Sequence, residues 1–145
     1  MSHPLFDLSG RVALVSGAAS GMGKAMSLAF AEAGADLMLA DLNEAGMDET
    51  ATQIQQLGRR AVPVVCNVSD STQIGAMFER LDSEFGRIDV LVNNAGGSFT
   101  YEKVESYSVG RFDRLLSVNV RGVFLCCQAV LPTMIAQKSG AIVNI

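Results

Sequence analysis

The sequence has few cysteines, and none of them has the spacing of a metal site or a disulfide framework. Its 145 residues include three, Cys66, Cys126 and Cys127, an odd count in which two stand side by side. Because the adjacent pair falls in a helical pattern, its members point to different faces, and we expect small buried side chains. The count predicts no metal centre and fits the reducing conditions of the cytoplasm.

A targeting segment and long apolar runs are also missing. Met1 to Gly10 contains no apolar stretch of signal-peptide length, and no run approaches the roughly 20 residues of a membrane-spanning helix. His3, the single histidine, is expected to be solvated near the terminus. These absences predict a soluble cytoplasmic chain that has no membrane partner.

Positive charge is not in surplus. Lysine and arginine number 11 against 15 aspartates and glutamates, a net charge of −4, so a nucleic acid is not an expected partner. An anionic cofactor is still compatible, because helix N-termini hold anions without a positive surface. With 49% hydrophobic residues and no repeat or linker, the chain is expected to form one domain over residues 1–145.

An apolar run that ends in a glycine-rich turn is the most informative feature that is present. The spacing is Gly-x-x-x-Gly-x-Gly, followed at once by a helical pattern, and alone it is compatible with an ordinary strand-to-helix turn. Placed here it predicts a phosphate site: the first glycine lets the chain reverse, and the others let backbone N–H groups approach a pyrophosphate at the helix N-terminus. The serines add hydroxyls for the loop or the phosphates. The turn reads Ser16-Gly17-Ala18-Ala19-Ser20-Gly21-Met22-Gly23.

Apolar runs and helical patterns alternate along the chain, which predicts a parallel sheet with helices on both faces. We expect an α/β, Rossmann-like doubly wound sheet in strand order 3-2-1-4-5, because right-handed crossovers around a switch point require that layout. The predicted strands are residues 11–16, 36–41, 61–66, 88–93 and 140–145. After the first helix, the predicted helices are residues 44–57, 70–85 and about 109–137.

The long helical pattern over residues 109–137 is apolar on more than one face. One face can cover the sheet, and the other needs a neighbouring helix or a partner subunit, so a homo-oligomer through this helix is expected. Pro132 is expected to bend the helix or end its regular part. The last apolar run, residues 141–145, would leave an unprotected apolar edge, which predicts a larger protein cut short at the fifth strand.

Asp41 closes the second predicted strand, about 20 residues after the glycine turn. From there a carboxylate can accept hydrogen bonds from the 2′-hydroxyl of a ribose, while its charge repels a 2′-phosphate. Neither Ser20 nor Leu42 offers a cation to a phosphorylated ribose, which favours NAD over NADP, and Lys24 is the residue that works against this preference. The alternative is that Asp41 caps the next helix.

Three motifs, in this order and context, resemble the short-chain dehydrogenase/reductase family in its classical type. They are the glycine turn, the tetrapeptide Asn93-Asn94-Ala95-Gly96 after the fourth strand, and Asn119 in the long helix. The resemblance runs from about residue 8 to residue 145 and covers the family's N-terminal portion. Ser16 and Asn67 depart from the threonine and aspartate that the family more often has there, and a hydroxyl and an amide still supply hydrogen bonds.

The resemblance implies where a cofactor lies, and the order of the strands agrees. Asn67 and Val68 follow the third strand at the carboxyl edge of the sheet, where ligands of open parallel sheets bind. Asn67 is expected to meet the adenine edge and Val68 to pack on its face. Asn94, Ala95 and Gly96 are expected to border the nicotinamide ribose; standing alone, they would form a plain polar turn.

Asn119 is a polar residue within an apolar helical run, so we expect a buried amide with hydrogen-bond partners. In the family, the matching asparagine loosens the helix locally and holds a water that links the catalytic lysine to solvent. The alternative is an amide on the helix surface. Tyr107 and Arg111 imitate the family's Tyr-x-x-x-basic spacing but precede Asn119, and we interpret them as surface residues.

The implied function is an NAD(H)-dependent oxidoreductase that moves a hydride between nicotinamide and a secondary alcohol or ketone. The family also uses a serine and a Tyr-x-x-x-Lys beyond the fifth strand, so only Asn119 of its catalytic residues is expected here, and the chain alone should be inactive. One alternative is a catalytically silent dinucleotide-binding fragment or sensor. Another is a Rossmann-like methyltransferase, which has no use for the stretch from Asn93 to Gly96.

Overall fold

Five parallel strands form the centre of the molecule. The computed structural model describes residues 4–97 and 101–145, so His3 and the first residues of the polar loop after the fourth strand lie outside the described residues. The strand order is β3-β2-β1-β4-β5, and all the neighbours are parallel. The predicted order is therefore confirmed. The strands are β1 (Val12–Ser16), β2 (Asp36–Asp41), β3 (Ala61–Val65), β4 (Val90–Asn93) and β5 (Ala141–Asn144).

Helices follow the first four strands, as the alternating pattern predicted. The elements are α1 (Gly21–Glu32), α2 (Glu44–Gln56), α3 (Ser71–Phe85), α4 (Val109–Leu116) and α5 (Gly122–Gln137), with short 3₁₀ turns at Pro4–Phe6 and Val104–Ser106. A π-helical turn, Ser117–Arg121, joins α4 to α5 into one helical segment. Pro132 lies inside α5, which continues to Gln137, so this proline does not end the regular part of the helix.

The core has two layers, one on each face of the sheet. Successive side chains of a strand point to opposite faces, and because helices cover both faces, β1 is apolar and buried at Val12 through Val15. One cluster joins Leu14, Met38 and Leu91 of the sheet to α3 and α5. The other joins Ala13, Val15 and Leu37 to α1 and α2. This packing fixes the carboxyl ends of the strands relative to the helices that follow them.

The long helix corrects one expectation drawn from the sequence. Within the described part of the chain, the segment Val109–Gln137 has 29 residues and is long and apolar enough, by length and composition alone, to cross a membrane. By that measure the expectation that no stretch approaches that length does not hold, because no charged residue occurs from Gly122 to Gln137. One such helix is weak evidence of insertion, since a helix that covers a sheet passes the same test, and Cys126, Val130 and Met134 are buried in the core here.

Candidate cofactor site

A cavity of about 450 Å³ opens at the carboxyl edge of the sheet, where β1, β2, β3 and β4 end. Parallel strands bring their carboxyl ends together there, so residues far apart in sequence become neighbours. The cavity is lined by Gly17, Ser20, Met22, Ala40, Asp41, Leu42, Cys66, Asn67, Val68, Asn94, Ala95, Gly96 and Val118. Most of the predicted site residues therefore share one cavity; Gly21, Gly23 and Asn119 are not among its lining residues.

The glycines of the turn serve different purposes. Gly17 has φ of +70° and Gly21 has φ of +54°, left-handed conformations that favour glycine. A Cβ on Gly21 would meet nothing within 4 Å, whereas a Cβ on Gly23 would lie 2.0 Å from the carbonyl oxygen of Gly17. Gly23 thus lets α1 pack against the turn, and its predicted approach to a pyrophosphate stays a prediction.

The N-terminus of α1 differs from those of the next two helices. Asn43 and Asp70 cap α2 and α3 by accepting backbone N–H groups with their side chains. Ser20, the N-cap of α1, makes no such bond. Within the described part of the chain, no side chain accepts from the first-turn N–H groups of α1. Together with the helix dipole these groups favour an anion beside Ser20 and Met22. This end of the cavity fits the pyrophosphate of a dinucleotide.

Ser16 makes its hydrogen bonds within the protein, where the sequence left open whether its hydroxyl would serve the loop or the phosphates. It is buried, and its Oγ donates to the carbonyl of Val92 (3.3 Å) and accepts the backbone N–H groups of Asn94 (3.1 Å) and Ala95 (3.0 Å). The Asn94 Nδ2 group in turn donates to the carbonyl of Ser16 at 3.1 Å. These bonds fasten the end of β4 to the end of β1 and leave the far side of Asn94 and Ala95 on the cavity.

The Asp41 carboxylate binds the glycine turn and the segment before α2; the N-cap of that helix is Asn43, so the alternative that Asp41 caps it is wrong, and the ribose contact stays a prediction. Its Oδ2 accepts the N–H of Ala19 in the glycine turn (3.0 Å), and its Oδ1 accepts the N–H of Asn43 at the start of α2 (3.0 Å). Since each carboxylate oxygen can accept two hydrogen bonds, acceptor positions remain for a ribose. Lys24, the residue that works against an NAD preference, donates to Glu49 of α2 at 2.6 Å.

The loop after β3 forms the adenine end of the predicted site. The Oδ1 of Asn67 accepts from the N–H (3.0 Å) and hydroxyl (2.7 Å) of Ser69, so this oxygen is occupied inside the loop. Two residues at the start of α5 contact this loop and hold it in place. Arg121 donates to the carbonyl of Ser69 at 2.7 Å, and Gly122 packs so closely that a Cβ would lie 2.6 Å from the carbonyl oxygen of Val68. The sequence assigned no role to Arg121.

Asn119 lies in the π-helical turn, which agrees with the local loosening that the resemblance implied. Its Nδ2 donates to the carbonyl of Gly97 (2.9 Å), and its Oδ1 accepts the N–H of the same residue (3.0 Å). The side chain is exposed, so the expectation of a buried amide is wrong. This exposed amide pairs with backbone because the segment that follows β4 runs beside the helix at Gly97.

Four lining residues were not predicted: Ala40, Leu42, Cys66 and Val118. Each adjoins a residue that was predicted. Ala40, Leu42 and Cys66 lie at strand ends, which were the signal, and Val118 precedes Asn119 in the π-helical turn. Burial, followed by the charge of Asp70, raises the pKa of the Cys66 thiol to about 11. This thiol therefore stays protonated at neutral pH and contributes as a small apolar wall.

Comparison with known proteins identifies the family. A family model described as short chain dehydrogenase matches residues 11–145. The 3-oxoacyl-[acyl-carrier-protein] reductase FabG of Thermotoga maritima is 40% identical over 142 residues, which cover 95% of this chain and 56% of that protein. The chain thus spans about half the length of the curated relatives that it matches.

Solved structures agree with the fold and include both kinds of dinucleotide complex. An NAD⁺-bound xylitol dehydrogenase superposes with a TM-score of 0.91 at 34% identity, covering 94% of this chain and 53% of that one. A metagenomic short-chain oxidoreductase in complex with NADP has the same TM-score and identity, covering 94% of this chain and 62% of that one. Because the family model matches residues 11–145 and the solved structures superpose on the fold, the chain belongs to the short-chain dehydrogenase/reductase family of oxidoreductases.

Proposed function

We propose that this chain is the NAD(H)-binding part of an oxidoreductase that acts on a secondary alcohol or ketone. The observation that carries the proposal is the uncapped N-terminus of α1, which opens on a cavity bordered by the Asp41 carboxylate. A bound nicotinamide supplies the hydride chemistry. The residues of this chain bind and orient it, and we regard residues 1–145 as a single cofactor domain that works in the cytoplasm.

Each end of the cavity suits one part of a dinucleotide. The first-turn N–H groups of α1 face the phosphates, and Asn67 and Val68 lie at the end of the cavity that suits an adenine. On the nicotinamide side, Ala95 and Gly96 bring small side chains and backbone to the cavity wall, which lets a ribose lie flat against them. Asn119 is the residue that we assign to the catalytic apparatus, through its pairing with the Gly97 backbone.

The proposed preference is for NAD over NADP. The Asp41 carboxylate lies where a 2′-phosphate would need a cation, and Leu42 beside it is apolar. Lys24 is engaged by Glu49, so its charge is already matched. Because the comparison includes complexes of both dinucleotides, the Asp41 carboxylate is the argument for NAD in this chain.

We expect Asp41→Ala to weaken NADH binding by about 1–3 kcal/mol, the scale of hydrogen bonds to a charged group. The loss should fall toward the upper end, because this carboxylate also accepts the Ala19 N–H of the turn. Asp41→Asn keeps an oxygen acceptor and removes the charge, so it should chiefly raise the affinity for NADPH. The measurement is a fluorescence or calorimetric titration of each variant with NADH and NADPH.

Asp48→Asn is the matched control, since it removes an exposed carboxylate from the same region without touching the cavity. It should leave both affinities unchanged. Equal affinity of the unsubstituted protein for NADH and NADPH would refute the preference. Absence of binding to either would refute the cofactor role. Turnover by the 145 residues alone would show that the catalytic residues have been misplaced, because Asn119 is the one member of the family's catalytic set that we assign within them.

A further inference from the structure

Helix α2 packs directly on the glycine turn, and Gly46 and Thr50 are among the residues that contact it. A Cβ added to Gly46 would lie 2.9 Å from the Cβ and the carbonyl oxygen of Ala19, so the backbones approach as closely as glycine allows. One helical turn further on, Thr50 is fully buried against the same segment. The turn that faces the cavity is therefore supported from behind by α2.

The hydroxyl of Thr50 is shared between its own helix and the turn. Its Oγ1 lies 3.0 Å from the carbonyl oxygen of Gly46, the ordinary position for a helical threonine. It also lies 3.1 Å from the carbonyl oxygen of Ala18, in a buried contact that crosses from α2 to the turn. Among the described residues, no other donor reaches the Ala18 carbonyl.

The peptide unit between Ala18 and Ala19 is consequently held at both ends. Its carbonyl accepts from Thr50, and its N–H donates to the Asp41 carboxylate at 3.0 Å. A rotation of this peptide plane would break both hydrogen bonds and bury an unpaired carbonyl. The chain then continues to Ser20 and Met22, which line the cavity at the N-terminus of α1.

We propose that Thr50 is a positioning residue for the dinucleotide, because it orients the Ala18–Ala19 peptide that leads into the phosphate-binding N–H groups. The inference rests on the proposed function of the cavity and extends it to a residue that touches no ligand. A turn already fixed in its binding conformation loses less entropy when the cofactor binds. Removal of the hydroxyl should therefore reduce cofactor affinity by more than it disturbs the rest of α2.

The chain offers a matched control on the same helix. Thr52 donates to the Asp48 carbonyl at 2.8 Å, the same bond to the preceding turn, but it is exposed and faces away from the glycine turn. Thr50→Val and Thr52→Val therefore remove the same group from the same helix. Thr50→Ser keeps the hydroxyl and should behave like the unsubstituted protein. Thr50→Ala serves as a second hydroxyl-free variant in case the valine variant does not fold.

The experiment titrates NADH into the full chain of each variant, at a temperature where circular dichroism shows all of them folded. Thr50→Val should raise the Kd for NADH about three- to tenfold, the change in an equilibrium constant that corresponds to one net hydrogen bond. The Kd values of Thr50→Ser and Thr52→Val should stay within about twofold of the value for the unsubstituted protein. In the cofactor-free protein, hydrogen exchange at the Ala19 amide should accelerate in Thr50→Val and not in Thr52→Val. A purely structural role would change stability without that local effect.

The outcomes separate the two proposals. If the unsubstituted chain binds neither NADH nor NADPH, the proposed function is wrong and the positioning role falls with it. If the unsubstituted chain binds NADH and the Thr50 variants that lack the hydroxyl bind it as tightly as Thr52→Val, the positioning role alone is wrong. Weaker binding confined to the variants without the hydroxyl, together with faster exchange at Ala19, supports it.

Discussion

Among single residues, Asp89 forms the densest set of charged contacts, at the amino end of the sheet and opposite the cofactor cavity. Its carboxylate is only 6% exposed, accepts the Val12 N–H at 2.9 Å, and pairs with Arg11 at 2.9 Å and Arg87 at 2.7 Å. Burial opposes its ionisation, but the hydrogen bonds from Arg87, Val12 and Arg11 outweigh that effect and lower the pKa of Asp89. The charged form therefore stabilises the junction of β1 and β4.

We expect Asp89→Asn to lower the free energy of unfolding by about 1–3 kcal/mol at pH 7, because hydrogen bonds to a charged group are lost. Solvent screens the two half-exposed arginines, which limits the size of the loss. A lowered pKa means that the contribution is fully present above the unfolded-state pKa, about 3.9, and disappears as the pH falls through the folded-state value. The deficit of the variant should thus be constant from about pH 7 to 5 and shrink below about pH 4.

Urea denaturation of both proteins across that pH range measures this effect. Asp82→Asn is the control: this exposed carboxylate of α3 makes no ion pair or side-chain hydrogen bond within the described residues. It should change the stability little at any of these pH values. A deficit of Asp89→Asn that grew toward acid pH would contradict the assignment.

The site residues show how far a sequence can locate a site. Asp41, Asn67 and Asn94 were placed correctly at one sheet edge because each ends an apolar run, and parallel strands align those ends. Their hydrogen bonds could not be predicted in the same way. Ser16 binds the loop after β4, a partner 78 positions away, and Asn119 is exposed although its neighbours are apolar, since tertiary packing decides both.

At the scale of elements, the packing of α1 on the glycine turn depends on one residue without a side chain. A Cβ on Gly23 would lie 2.0 Å from the carbonyl oxygen of Gly17 and 2.7 Å from the Nδ2 of Asn94. Neither can withdraw easily, because the first is backbone and the second is hydrogen-bonded to Ser16. The first turn of α1 would have to move away from β1.

Gly23→Ala should therefore destabilise the protein by about 2 kcal/mol or more, as overpacking does, and should weaken NADH binding. Gly75→Ala is the opposite case in the interior of α3, where an added Cβ meets nothing within 4 Å. It should stabilise the protein by about 0.5–1 kcal/mol, the difference between alanine and glycine in a helix. Thermal unfolding of both variants tests the pair, and a Gly23→Ala protein as stable as the unsubstituted one would refute the packing argument.

The elements themselves were largely predictable, and their exceptions have physical causes. Apolar runs of strand length alternate with helical periods, so strand order and the positions of α1, α2 and α3 followed from the pattern. The bounds of β2 were predicted correctly, and the other four strands were predicted one or two residues too long, because hydrogen bonding, rather than hydrophobicity, decides where a strand stops. The π-helical turn at Ser117–Arg121 leaves no trace in a period of 3.6.

At the scale of the whole molecule, the two faces of the long helix differ. Its inner face is buried in the core at Cys126, Val130 and Met134. Its outer face carries large apolar side chains at steps of three, four and seven residues, a stripe that continues across the π-helical turn. No helix in the described part of the chain covers this outer stripe: Val109, Phe112, Leu116, Val120, Phe124, Leu131 and Ile135 are exposed.

An exposed apolar stripe of this length is typical of a binding surface, and the expected occupant is a second copy of the chain. Sedimentation velocity should then show concentration-dependent association. Phe124, which is 62% exposed, lies midway along the stripe. The substitution Phe124→Glu should weaken association roughly tenfold or more, because a charge would be buried between apolar faces.

The control is Gln55→Glu, which adds the same charge on the exposed side of α2 and should leave the association unchanged. A monomer at every concentration would exclude the second copy as the occupant of the stripe, whereas equal weakening by both variants would show that net charge, and not the stripe, governs association.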